Sequence, residues 1–309
     1  MLCQAAGVRL LGVKSWRGGE DEGEAGGTRR LTHFTAHTKQ SIMENTSSKP
    51  FAIVTGGSSG IGLELAKQFA SHGYDLLLTA ARADGLAEAA QHVQSLGANV
   101  VTVGADLAEY DGVEQVYAAI KATGRPIDAI AINAGVGVGG DFRETDLLEE
   151  MNIVNLNCGS TVHLAKRVVP DMAARGSGRI LFTASVASLM PAPFEAVYGA
   201  SKAFVFSFSE ALRNELKDTG VTVTALLPGP TETDFFHRAD MDDTKVGQSK
   251  KDDPADVARD GFEALMAGKD KVIAGSLKTK AQGLAVELVP PTVSAEVHRK
   301  MSEPGSGEK

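Results

Sequence analysis

A tyrosine and a lysine four residues apart, in Tyr198-Gly199-Ala200-Ser201-Lys202, share one face of any helix that carries them. An ammonium held there can lower the pKa of a phenol that ordinarily titrates near ~10, making the tyrosine a usable proton donor near neutral pH. The spacing alone is not specific. Tyr117-Ala118-Ala119-Ile120-Lys121 repeats it, so the surrounding chain has to separate the two.

From Pro50 onward, apolar strand-like runs alternate with helical segments. Strands are predicted at 51–55, 75–79, 99–103, 129–132, 179–183, 221–226 and 271–274. Helices are predicted near 60–72, 83–96, 110–123, 144–174, 196–217 and 254–267, with Pro170 expected to kink or shorten the fourth and Asp253 to cap the helix that Pro254 opens. Most strands are continuous apolar runs, the signature of a parallel sheet buried on both faces. Strand–helix alternation with short connections gives a single-domain α/β fold, a doubly wound parallel sheet of about seven strands with helices on both faces. Ligands of such sheets bind beyond the carboxyl ends of the strands. The first strand ends there in Thr55-Gly56-Gly57-Ser58-Ser59-Gly60-Ile61-Gly62, a G-x-x-x-G-x-G turn that opens a helix. Glycines at those positions permit a tight turn and bring backbone N–H groups against a pyrophosphate.

With 309 residues, 43% hydrophobic and 23% charged, the composition is that of a globular protein. A net charge of −8 argues against nucleic-acid or anionic-membrane partners. No apolar run approaches the ~20 residues of a spanning helix. Cys3 and Cys158 are the only cysteines, which implies no disulfide framework and points to the cytoplasm. Residues 1–49 carry the acidic, glycine-rich stretch Gly18-Gly19-Glu20-Asp21-Glu22-Gly23-Glu24 and read as a disordered leader or an upstream-start artefact ahead of Met43. His33 and His37 have helical metal-ligand spacing but no third ligand nearby, so no metal site is expected. Cys158 reads as buried packing, because no basic partner is evident.

Across about residues 50–275 the chain resembles the short-chain dehydrogenase/reductase family, a Rossmann-type fold. The resemblance rests on Gly56, Ser58, Ser59, Gly60, Ile61 and Gly62 in the cofactor turn; Asp106-Leu107 after the third strand; Asn133-Ala134-Gly135 after the fourth; Asn155 on the following helix; Ser185 after the fifth; the Tyr198–Lys202 pair; and Pro228-Gly229 after the sixth. It resolves the decoy, since Tyr198 has Ser185 thirteen residues upstream at a strand end whereas Tyr117 has Gly104 there. Ser188, three residues past Ser185, is the rival serine. The resemblance implies NAD(P)(H)-dependent carbonyl/alcohol interconversion. Tyr198 would supply a proton to the developing alkoxide. Lys202 would lower the tyrosine pKa and hold the nicotinamide ribose, Ser185 would polarise the carbonyl, and Asn155 would position a water beside Lys202. Thr231 and Thr233 would lie on the cofactor, Thr233 at the nicotinamide carboxamide. At the end of the second strand, Thr79-Ala80-Ala81-Arg82 has alanine where an NAD-selecting carboxylate would stand, and Arg82 can neutralise a 2′-phosphate. NADP(H) is therefore favoured over NAD(H).

Leu189 to Phe194 and Thr231 to Arg238 are expected to line the substrate side, whose apolar residues suit a fairly hydrophobic carbonyl or alcohol. Residues 276–309 exceed the core fold and read as an extension over the cleft or at a subunit contact. The family suggests a homodimer or homotetramer, joined through the helices near 144–174 and 196–217. A dinucleotide-sensing regulator without catalysis is the alternative, against which Ser185, Tyr198, Lys202 and Asn155 all stand. An extended-fold epimerase or dehydratase fits the G-x-x-x-G-x-G spacing and the compact substrate region less well.

Overall fold

A computed structural model describes residues 49–286 and 288–307. The expectations for residues 1–48, including Cys3, His33, His37 and Met43, lie outside the described residues. A seven-stranded parallel sheet runs in the order β3-β2-β1-β4-β5-β6-β7, with β1 Phe51–Thr55, β2 Asp75–Ala80, β3 Val100–Gly104, β4 Ala129–Ile132, β5 Gly178–Thr183, β6 Val221–Pro228 and β7 Lys271–Ala274. The apolar runs have the predicted cause. Phe51 and Ile53 of β1 join one core layer while Ala52 and Val54 join the other, and β4 divides the same way between Ile130, Ile132 and Ala129, Ala131.

Helices α3 (Tyr110–Ala122), α5 (Ser160–Arg175) and α6 (Ala196–Glu215) cover the first layer through Val116, Leu164, Val168 and Val205. Helices α1 (Gly60–Ser71), α2 (Ala83–Ser95) and α9 (Pro254–Met266) cover the second through Leu65, Phe69, Val93 and Phe262. Asp253 caps α9 as predicted, accepting from the Ala255 N–H at 2.8 Å. Strand order reverses between β2 and β4 on either side of β1, so a crevice opens beyond the carboxyl ends of these strands.

The fourth predicted helix differs in two respects. It begins as α4 (Leu147–Ile153), capped by Asp146, passes through a π-helical turn at Val154–Gly159, and continues as α5. Pro170 sits inside α5 without ending it. Its ring is on the exposed side, where water can satisfy the carbonyl that loses its helical partner. The irregularity falls instead in the π turn, a form common at functional sites.

Past β6 the chain forms two short helices, α7 (Phe235–Arg238) and α8 (Lys245–Gln248), and after β7 the helices α10 (Leu277–Val286) and α11 (Pro291–Ser302). The last turn of the chain returns to the α7–α8 segment, where the Gly305 N–H donates to Asp243 at 2.7 Å and the Lys245 N–H to Ser306 at 3.0 Å.

Candidate active site

Asn133 braces the floor of the crevice. Its backbone N–H donates to Thr55 Oγ1 at 2.9 Å, its side-chain amide to the Thr55 carbonyl at 3.1 Å, and it accepts from Thr183 Oγ1 at 3.0 Å, tying together the ends of β1, β4 and β5. Lys202 then donates to the Thr183 carbonyl at 2.8 Å from α6. A Cβ on Gly135 would stand 3.1 Å from both Lys202 Nζ and Asn157 Oδ1, so any larger residue would push these two side chains back by a few tenths of an ångström.

Above this floor lies a cavity of about 650 Å³. One side is the glycine turn, with Gly56 at φ +66° and Gly60 at φ +54°. A Cβ on Gly62 would strike the Gly56 carbonyl oxygen, and one on Gly60 would lie 2.9 Å from Thr233. Backbone N–H groups at the start of α1 therefore face an uncluttered cradle suited to a pyrophosphate. Ser58, Ser59, Ile61, Arg82, Asp106, Leu107, Ala134, Pro228, Gly229 and Thr231 line the same cavity. These residues fit a dinucleotide. The opposite wall carries Ser185, Tyr198 and Lys202.

Ser185, at the end of β5, is buried and accepts from the Ala187 N–H at 3.1 Å. Ser188 spends its hydroxyl on the Ser185 carbonyl. Lys202 Nζ stands 5.9 Å from the Tyr198 ring centre. The expectation that this ammonium lowers the phenol is not met. Burial pushes Tyr198 above its ordinary value, with the Glu195 charge adding to the rise and a hydrogen bond from Ser185 opposing it. Burial likewise lowers Lys202 to about 8. Both groups sit inside the wall, and desolvation favours the neutral form of each.

The structure does not bring Asn155 to the site. Its side chain is exposed on the π turn, and it does not line the cavity. Asn157 lies behind the cavity lining near Lys202 instead, 1% exposed, accepting from the Val136 N–H at 3.0 Å and donating to the Val136 carbonyl and to Ser201 Oγ, each at 2.9 Å. The sequence held the signal: Ile153, Asn157, Thr161 and Leu164 recur at helical spacing and are all buried, whereas Asn155 falls on the other side. Cys158 is half-buried and packs against the Ser201 carbonyl, its thiol pushed up by burial. The decoy pair is structural, with the Tyr117 ring under Arg167 at 5.6 Å and Lys121 paired with Asp171 at 3.1 Å.

Beyond the tyrosine, the cavity is closed by Met190, Phe235 and Phe236 and by α10 and α11 through Val286, Val297 and Met301. Phe235 packs on Tyr198 at 5.1 Å between ring centres. Three polar residues in this region, Glu195, His298 and Ser302, were not anticipated from sequence. No helix among the described residues is long and apolar enough to cross a membrane. No group of three or more His, Cys, Asp or Glu side chains among them is arranged to hold a metal.

The family model for short chain dehydrogenases matches residues 50–244. An uncharacterized oxidoreductase of Staphylococcus saprophyticus is 32% identical over 215 residues, 69% of this chain and 90% of that protein. A short-chain dehydrogenase from Sphingobium yanoikuyae, solved with NADPH, superposes with a TM-score of 0.70 at 28% identity, over 80% of this chain and 96% of its own. A 3-ketoacyl-(acyl-carrier-protein) reductase from Brucella melitensis, solved with NADH, gives 0.63 at 26% identity over 72% and 96%.

Proposed function

The chain belongs to the short-chain dehydrogenase/reductase family and is an oxidoreductase, and we propose that it reduces a ketone or aldehyde at the expense of NADPH. The observation that carries this reading is the placement of Ser185, Tyr198 and Lys202 on one wall of a cavity whose other wall is the glycine cradle. A bound nicotinamide dinucleotide supplies the hydride. Gly56 to Gly62 would hold its pyrophosphate, Asp106 and Leu107 its adenine side, and Thr231 and Thr233 its nicotinamide end.

The protein's own groups handle the oxygen and the proton. Ser185 donates a hydrogen bond to the carbonyl oxygen and fixes its position. Tyr198, kept protonated by burial, gives its proton to the oxygen as negative charge develops. Lys202, lowered to about 8, sits where a bound substrate oxyanion and the ribose hydroxyls would favour its charged form. Asn157 holds the Val136 backbone and Ser201 beside Lys202, in the place that sequence assigned to Asn155, whose expected role was to position a water.

NADP(H) is favoured over NAD(H) because Ala80, Ala81 and Arg82 line the cavity at the end of β2 with no carboxylate among them. Apolar walls at Met190, Phe235, Phe236, Val286 and Val297 suit a hydrophobic substrate. Leu147, Leu148 and Met151 of α4 and Phe204 of α6 leave an apolar surface exposed, which supports a homodimer or homotetramer joined there. A cytoplasmic location is argued from cysteine usage. Tyr198→Phe tests the core of the proposal in a panel of ketones and aldehydes followed by NADPH absorbance: turnover is expected to fall at least 100-fold while NADPH still binds. Substantial turnover in that variant would refute the reading.

A further inference from the structure

Helix α11 grips the loop leading into α6 at three successive residues. His298 Nδ1 lies 3.2 Å from the Pro193 carbonyl, the Arg299 guanidinium stands 4.9 Å over the Phe194 ring, and the Glu195 carboxylate receives Ser302 Oγ at 3.0 Å and faces His298 Nε2 at 3.4 Å. Phe194 is held at φ +66°, a conformation that a bulky residue adopts only when its surroundings impose it. The result is a buried carboxyl turned into the cavity wall three residues before Tyr198.

The contacts fix how many protons this cluster holds. A carbonyl can only accept, so His298 Nδ1 carries hydrogen and donates to Pro193. In a neutral ring Nε2 is then a bare acceptor, and the Glu195 oxygen facing it must bring the proton. With a charged ring the proton resides on Nε2 and Glu195 is ionised. In both of these arrangements one proton serves the two groups, and the buried pair is neutral as a whole. Burial raises Glu195 to about 7 against the Ser302 hydrogen bond, and burial lowers His298 against its bond to Pro193. The titratable and hydroxyl groups facing Glu195 are His298 and Ser302 from α11 and Tyr198 from α6, and Lys202 and Ser185 line the same cavity. Arg299 is engaged with Phe194 and with Glu303.

We propose that Glu195 and His298 share a single proton, and that Glu195 acts as a positioning residue whose charge sets the pH range over which Tyr198 can donate. Loss of the shared proton at rising pH leaves a negative charge beside the phenol. That charge strengthens the phenol's hold on its own proton and extends carbonyl reduction to more alkaline pH. The second half of the proposal rests on Tyr198 being the proton donor; the first half does not.

The discriminating variant is Glu195→Gln, which keeps the length of the side chain, an acceptor for Ser302 and a donor toward His298, and removes the charge. In full-length protein labelled with 15N-histidine, with His298→Asn to assign the signal, His298 is expected as the Nδ1-protonated tautomer. Its titration midpoint should move down by about one pH unit in Glu195→Gln. An unmoved midpoint overturns proton sharing without any turnover being measured. In the reduction assay, the alkaline half-point of the rate is expected to fall by about one pH unit in Glu195→Gln and by less in Ser302→Ala, which removes one stabiliser of the carboxylate. Lower turnover with an unshifted profile would make Glu195 merely structural and overturn its effect on Tyr198. Retention of activity in Tyr198→Phe would remove the proton donor itself and leave the histidine result standing.

Discussion

Replacing Lys202 by methionine should abolish turnover and at the same time relieve the fold of a buried charge. Burial lowers this lysine from 10.5 to about 8, a difference worth about 3 kcal/mol at ~1.4 kcal/mol per pH unit. Below pH 8 the ammonium is present in both folded and unfolded chains, and the wild type bears the whole penalty. Between 8 and 10.5 the folded protein gives up the proton while the unfolded chain retains it, so wild-type stability rises with pH across this window by about 3 kcal/mol. Methionine has nothing to titrate. Against the relief stands the bond to the Thr183 carbonyl at 2.8 Å, whose loss leaves a buried acceptor unpaired at ~1–3 kcal/mol. Lys202→Met should therefore be between equal and ~2 kcal/mol more stable than wild type at pH 7. That margin should fall by about 3 kcal/mol, and so reverse, at pH 10. Urea denaturation of both proteins at the two pH values measures the difference, from which groups common to both cancel. Parallel stabilities at pH 7 and pH 10 would refute the premise that this lysine is desolvated.

Gly62→Ala places a methyl against the Gly56 carbonyl oxygen and 2.6 Å from the Asn133 amide. It should weaken NADPH binding at least 100-fold and destabilise the fold by ~1–3 kcal/mol, measured by fluorescence titration and denaturation. Arg82→Ala should raise KM for NADPH about tenfold or more with little change for NADH, the equivalent of ~1.4 kcal/mol on one phosphate; an unchanged ratio would remove Arg82 from cofactor choice. Asn157→Ala breaks three hydrogen bonds inside the wall and should destabilise by ~2–4 kcal/mol with at least tenfold lower turnover. Asn155→Ala, on the exposed side of the π turn, should stay within ~0.5 kcal/mol of wild type.

The sheet was legible because burial on both faces leaves a strand no reason to alternate. Val101, exposed on edge strand β3, shows how that signal weakens where one side loses its cover. Tyr198 could be told from Tyr117 by position after β5, and the contrast is physical. Tyr198 is packed between Phe235 and the wall of the cavity, while Tyr117 lies under the guanidinium of Arg167. Likeness of local context points to Asn155, but the buried side of its helix does not include it. Ile153, Thr161 and Leu164 mark that side, and Asn157 lies on it.

Helices α10 and α11 escaped the sequence for a different reason. Their hydrophobic pattern is inverted. Thr279, Gly283, Ser294 and Ser302 are buried, while Leu277, Leu284 and Val293 are exposed. Periodicity finds a helix that covers a hydrophobic core, and these cover an open cavity to which they present Val286, Val297 and Met301. Their attachment accordingly includes individual polar contacts: Ser302 and His298 to Glu195, His298 to Pro193, and Gly305 and Ser306 to the segment around Asp243 and Lys245. Contacts of this kind contribute ~0.5–1.5 kcal/mol each, so α11 can separate from the body at far less than the free energy of global unfolding. Separation would strip Glu195 of both its partners.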